Sequence, residues 1–395
     1  MTLSPARPPA LDAVRPRRRH PAHEVSPVDR DVLWLYLLTR VGLWVTAYCA
    51  RQVFPANPAE HRAAPVLSSW RQWDWGYYLH IARDGYFPSG PAAAQAADNR
   101  QAFFPGFPLV LRAVHLVVPY WTAAGLLISF TAGGVAVLAL ARLARLDSGG
   151  RDDGRRTALI FLVSPCAVFL AAGYTEALFL ALALPAWLAA RRGAWPQAAV
   201  LTCLATAVRV NGLFLTGALG LLFLLSRPRD WRQAPLLALP LAPPLLYSWY
   251  LRAHTGDWMA WQHAESRGWY RDFHAPWTAW HHTWTAAFSH DQTTAYAVTF
   301  RAELVAMAVG LLLLAVLLRR RRWPEALYMG LTLWALGTSY WYMSIPRAAL
   351  LWFPLWPALA VWTVRRPRLS VTLLAPAVPL FALVALTFFT GRWAG

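Results

Sequence analysis

The chain has 395 residues, and 37 basic side chains against 19 acidic ones give a formal charge of +18, yet 57% of it is hydrophobic. Charged residues reach only 14%, too few to cover the surface of two or three soluble domains. A disordered basic tail protein and the ordinary soluble nucleic-acid binder are thereby excluded. No lysine occurs, so every basic residue is arginine, and tryptophan reaches 23 copies.

In chain order, residues 1–30 are rich in Arg and Pro and are expected to form a disordered cytoplasmic tail. Asp29-Arg-Asp31 has the spacing of a metal-binding Asp-x-Asp, but no domain surrounds it, and chance is the favoured reading. Val32 to Ala50 is the first apolar block. No small-residue cleavage pattern follows it, so it is read as a retained helix and not a signal peptide. Further blocks run over Thr122–Ala141, Thr157–Gly173, Leu304–Leu318 and Ser370–Thr390, approaching or exceeding a bilayer's width. Shorter spans, with weaker boundaries, fall between Glu176 and Ser226. Cys49, Cys166 and Cys203 all lie inside apolar blocks, where an odd number points to inert packing.

Arginines cluster at every second gap: from Arg7 to Arg30, Arg142 to Arg156, Arg191 and Arg192, Arg227 to Arg232, Arg319 to Arg322, and Arg365 to Arg368. By the positive-inside rule these gaps are cytoplasmic, which gives about eleven spans with the N-terminus inside and the C-terminus outside. The expected fold is an all-α polytopic membrane protein, with 31–395 a single transmembrane domain. The charge excess then orients the chain in a bilayer and needs no nucleic-acid partner. Two outer loops, 51–120 and 252–291, exceed connector length, and loops of that size usually carry function. The first holds the amphipathic stretch Arg71 to Tyr86 and then Phe103 to Arg112, both dense in aromatics that favour the headgroup layer.

Ionisable residues at membrane depth are costly and are therefore functional candidates. Arg40, Glu176, Arg209 and Arg347 form that group, and the last three share the outer side with Asp74, which sits between Trp73 and Trp75. Singly, each is as well explained by an ion pair or a snorkelling end residue. Together, one carboxylate among aromatics and several arginines describe a pocket for a lipid phosphate and a polar substrate. No phosphate-cradling glycine motif occurs. The second loop's His254, His263, His274, His281, His282 and His290 lack the spacing of a zinc helix.

Trp73-Asp-Trp-Gly-Tyr-Tyr-Leu-His-Ile-Ala-Arg-Asp-Gly-Tyr86 followed by Phe103-Phe-Pro-Gly-Phe-Pro108 resembles the first lumenal loop of the PIG-V-like mannosyltransferases. These are relatives of the second mannosyltransferase of GPI-anchor synthesis. Ser164 to Phe179, Ala207-Val-Arg-Val-Asn-Gly212, Gly256-Asp-Trp-Met-Ala-Trp-Gln262 and Ser344-Ile-Pro-Arg347 fall in the family's order, so the resemblance spans roughly 32 to 365. Ala348 stands where the family usually has tyrosine. The all-arginine, high-GC composition points to a bacterial member.

The resemblance implies a GT-C type glycosyltransferase fold. It implies an inverting, metal-independent enzyme that moves mannose from a polyprenyl-phosphate-mannose donor to a hydroxyl of a membrane glycolipid, glycan or protein on the extracytoplasmic face. No cofactor is implied. Such a displacement needs a carboxylate to take the acceptor's proton, and Asp74 is the candidate. The leaving phosphate needs positive charge, for which Arg209 and Arg347 are the candidates. Trp73, Trp75, Tyr77, His80, Arg83 and Asp84 are candidate substrate-binding residues, with capping or surface solvation a rival for Arg83 and Asp84. Glu176 either binds a sugar hydroxyl or pairs with an arginine. The competing class is a polyprenyl-lipid or glycolipid flippase without chemistry; it predicts inverted repeats, which the two halves lack.

Overall fold

The computed structural model describes residues 26–54, 67–88, 99–148 and 151–394. The expected disordered tail lies outside the described residues up to position 25, as do 55–66 and 89–98 of the first outer loop. Among the described residues every regular element is helical, and several helices are long and apolar: the chain is a multi-pass membrane protein.

Among the described residues, four helices are long and apolar enough to cross a bilayer. They are α1 (Pro27–Val53), α4 (Trp121–Ser148), α12 (Thr294–Arg319) and the stretch Arg368–Phe389 of α16 (Pro367–Phe389). A fifth crossing is available where Ile345–Leu351 and Leu355–Val364 meet at an 81° bend. The segment from 174 to 226 breaks into α6 (Thr175–Arg191), α7 (Trp195–Val208) and α8 (Asn211–Leu225), the last two of 14 and 15 residues. The apolar block Thr157–Gly173 is not one continuous helix. Helix α5 (Arg151–Leu162) stops short of Ser164-Pro165, since the residue before a proline is pushed out of the α region. A 3-10 turn, Ala167–Leu170, then leads to α6.

Shorter helices stand between the long ones: α2 (Trp75–Asp84), α3 (Gly106–His115), α9 (Ala242–Thr255), α10 (Ala260–Trp269) and α11 (Pro276–Phe288). Helix α13 (Trp323–Gly337) returns beside α12, and the single turn α14 (Ile345–Ala348) precedes α15 (Leu355–Arg365).

Local chemistry sets the joints. Ser26 caps α1 by accepting from the Asp29 amide at 3.1 Å, with Pro27 in the first turn. Asp29 has a structural role in place of a metal: its carboxylate accepts from Arg142 at 2.9 Å and Arg145 at 2.7 Å, tying α1 to α4. Tyr36 donates to the Phe130 carbonyl at 2.6 Å across the same interface. Small residues let these helices approach closely, as expected in lipid.

Trp75 is 2% exposed, and its ring occupies a slot between Gly125 and Gly173. A Cβ on Gly125 would stand 2.4 Å from the ring, and one on Gly173 2.6 Å. The slot fixes the first residue of α2 and, with it, the neighbouring Asp74. Gly125→Ala is therefore expected to cost about 1–3 kcal/mol of stability through overpacking and to lower activity with it. Gly76→Ala, whose added carbon would meet nothing within 4 Å, is the control. Thermal unfolding of the purified protein in detergent checks the pair: only the first substitution should lower the midpoint.

Candidate active site

The helix ends and loops around Asp74 and Arg347 form a cavity of about 170 Å³. Its floor is charged. Asp74 precedes α2, in the position where an aspartate commonly caps a helix, yet its side chain makes no capping bond. The carboxylate turns into the cavity instead, and the residue before it, Trp73, is held in the left-handed region at φ 47°. A bulky residue there carries backbone strain, which tends to gather at functional sites.

Arg347 joins the charges. Its Nη1 donates to Asp74 Oδ2 at 2.7 Å, while Nε donates to Glu176 Oε1 at 2.7 Å and Nη2 lies 2.7 Å from the same oxygen. Two neighbouring rings pack against the guanidinium, Phe169 at 4.7 Å and Tyr174 at 4.8 Å. The Tyr174 hydroxyl donates to the Gln72 carbonyl at 2.5 Å, binding this aromatic to the segment that carries Asp74. Arg209 Nη1 donates to Glu176 Oε1 at 2.8 Å. Glu176 is 1% exposed and sits in the first turn of α6, where the helix dipole favours a negative charge. Two carboxylates and two arginines thus form one buried, balanced network, an arrangement whose integrity depends on every member.

Each arginine is positioned by a break. Arg209 occupies the extended residue between α7 and α8, at φ −151° and ψ 147°. The Phe103-Phe-Pro-Gly stretch packs against that break: a Cβ on Gly106 would meet the Ala207 carbonyl oxygen at 2.6 Å. Arg347 lies in α14, which begins after left-handed Ser344 at φ 62°. Buried Glu303 of α12 holds that turn, its Oε1 and Oε2 accepting the Ser344 and Ile345 amides, both at 2.7 Å.

Asp74, Arg209 and Arg347 line the cavity together, and Glu176 lies behind them, paired with both arginines. Trp75 is buried beneath as an anchor. Tyr77 stacks on Phe103, itself a lining residue, with centroids 4.7 Å apart. Trp73 is exposed and meets Trp393 edge-on at 5.1 Å. His80, Arg83 and Asp84 gather at the far end of α2, outside the lining. Arg83 grips Asp84 with two bonds of 2.8 and 2.9 Å, and this hydrogen bonding holds the Asp84 carboxyl below its ordinary range. Arg40 also lies away from the cavity, its guanidinium over the Tyr36 ring at 5.0 Å.

Several lining residues escape a reading of the sequence. Tyr78 faces Thr175 at 3.4 Å, and Asn211, Trp261, Glu265, Trp269 and Arg271 complete the cavity. Trp261 stands within the Gly256 to Gln262 resemblance; Glu265 and Arg271 look in sequence like any loop charges. Glu303 has a signal, a lone carboxylate directly before the apolar block Leu304–Leu318.

The PIG-V mannosyltransferase family model matches residues 49–224. Over 183 residues the chain is 33% identical to GPI alpha-1,6-mannosyltransferase 2 of Mus musculus, covering 44% of this chain and 35% of that protein. The protein of the same name from Homo sapiens matches equally, at 33% identity over 183 residues, with the same 44% and 35% coverage. GPI mannosyltransferase 2 of Drosophila pseudoobscura pseudoobscura is 31% identical over 123 residues, covering 29% of this chain and 25% of its own. The matched stretch thus spans about a third of the mouse and human relatives' length. The family-model match, 49–224, contains Asp74, Glu176 and Arg209 and ends before Glu303 and Arg347.

Proposed function

We propose that this chain, whose residues 49–224 fall in the PIG-V-like mannosyltransferase family, transfers mannose from a polyprenyl-phosphate-mannose lipid to a hydroxyl of a membrane-associated acceptor. The observation that carries this reading is the Arg347 fork, which holds the Asp74 carboxylate in an open cavity beside Arg209.

In the proposed reaction the acceptor oxygen attacks the anomeric carbon of mannose as the bond from that carbon to the phosphate oxygen breaks. The acceptor's proton goes to Asp74, and the electron pair leaves with the polyprenyl phosphate, inverting the anomeric centre. Asp74 commits Oδ2 to Arg347, while Oδ1 has no hydrogen bond among the described residues and is the oxygen assigned to the proton. The arginines divide the rest. Arg347 is engaged at both carboxylates and packed against the Phe169 and Tyr174 rings, so it fixes Asp74 and supplies a stationary positive charge. Arg209 hydrogen-bonds only through Nη1 among the described residues and is partly exposed, which leaves its remaining donors for the phosphate.

The topology that goes with this mechanism is a GT-C type fold of about eleven spans, short and broken helices included, with the N-terminus inside and the cavity on the extracytoplasmic face. The acceptor is a glycolipid, a glycan or a protein. Comparing glycoconjugates from membranes of cells with and without the gene tests the function: loss of one mannosylated product on deletion is expected. Identical profiles from both, with the protein demonstrably expressed in one, would contradict it.

A further inference from the structure

The cavity's second wall has a different chemistry from its charged floor. It comes from the second outer loop, where Trp261, Glu265 and Trp269 of α10 and Arg271 just beyond it all line the space. This wall lies outside residues 49–224, the stretch that the family model matches.

Helix α10 ends on Tyr270, a non-glycine residue in the left-handed region at φ 55°, and that reversal places Trp269 and Arg271, either side of it, on the one cavity. The turn is held from outside: the Tyr340 amide donates to the Tyr270 carbonyl at 3.1 Å, and the Gln262 side chain donates to the Arg271 carbonyl at 2.7 Å. Trp269 is braced edge-on by Tyr77 at 5.5 Å and Phe103 at 5.3 Å. The Glu265 carboxylate lies 3.3 Å from Arg271 Nε, a contact that falls short of a hydrogen bond and leaves both groups half-buried at the cavity. Burial raises the Glu265 carboxyl above its ordinary range, Arg271 opposes that shift, and the charge of Asp74 adds to it. An apolar ring face beside an incompletely satisfied carboxylate and guanidinium suits a pyranose, which offers C–H groups to the ring, hydroxyl donors to Glu265 and oxygen acceptors to Arg271.

We infer that Glu265, Trp269 and Arg271 form a saccharide subsite. The inference rests on the mannosyltransferase reading, and the sugar it holds belongs either to the donor or to the acceptor.

Glu265→Gln keeps the shape and removes the charge, so it tests the subsite without emptying the wall. Two radiolabelled probes, polyprenyl phosphate and polyprenyl-phosphate-mannose, are bound to purified wild-type and variant protein, and transfer is titrated with a membrane lipid extract as acceptor. If the subsite holds the donor's mannose, the variant binds the mannosylated lipid roughly tenfold or more weakly and the bare phosphate lipid unchanged. If it holds an acceptor sugar, both lipids bind as in wild type, but half-saturation by the extract rises roughly tenfold. Unchanged behaviour with all three, or equal weakening of both lipids, would overturn the inference. The first pattern between variant and wild type, found with a wild-type protein that forms no mannoside, would instead remove the transferase reading alone. Conversely, transfer that is indifferent to Glu265 leaves that reading standing and ends the subsite.

Discussion

Asp74→Asn is expected to reduce mannose transfer by about 10²–10⁴-fold, the range for loss of a positioned general base, while the protein accumulates normally. Asparagine preserves the volume and keeps an oxygen to accept from Arg347 Nη1, now at 2.7 Å from Oδ2. What disappears is the basicity of the second oxygen. Donor binding should be little changed, since the phosphate contacts are assigned to Arg209, so the effect belongs in kcat and not in KM. Asp74→Glu keeps the charge but displaces it by a methylene from a site fixed by Trp75 in its glycine slot, and it should recover only part of the rate. Retained activity in a well-expressed Asn variant would remove Asp74 from the chemistry.

Arg347→Ala should be the most damaging single substitution for the fold and the function together. It leaves Glu176, 1% exposed, and the nearby Asp74 without the cation that joins them. Breaking a buried pair from one side costs about 3–5 kcal/mol, because the remaining charge is left uncompensated. Glu176 Oε2 already has no hydrogen-bond partner among the described residues, so the carboxylate would depend on Arg209 alone. Arg347→Lys separates stability from geometry: a lysine supplies charge but no planar fork able to reach both carboxylates while packing against Phe169 and Tyr174. It should accumulate better than the Ala variant and remain nearly inactive. Thermal unfolding and transfer, measured side by side on both variants, check this. A stable, active Ala variant would show that the fork organises nothing.

Much of this arrangement is legible in sequence where a signal is long or chemically loud. Val32–Ala50 and Ser370–Thr390 lie almost wholly within Pro27–Val53 and Pro367–Phe389, because twenty apolar residues in a row have few alternatives. Arg209 and Arg347 are conspicuous because charge at membrane depth is expensive, Asp74 because it sits between two tryptophans, and the fold gathers them from positions 273 residues apart at the widest. The Thr157–Gly173 block misleads because hydropathy does not register that Ser164-Pro165 ends a helix. His80, Arg83 and Asp84 belong to the same resemblance as Asp74, but ten helical residues point in all directions, and these three fall away from the cavity. The α10 wall is illegible for another reason. Glu265 and Arg271 reach the site only through the left-handed turn at Tyr270, a conformation that tyrosine does not advertise.

The most direct test is transfer by the purified protein from polyprenyl-phosphate-[³H]mannose to a membrane lipid extract, with wild type and Asp74→Asn assayed at equal amounts. A new radiolabelled mannoside is expected from the wild type, with the anomeric configuration of the donor inverted, and about a hundredth as much or less from the variant. Equal product from both, or a mannoside that retains the donor's configuration, would contradict it.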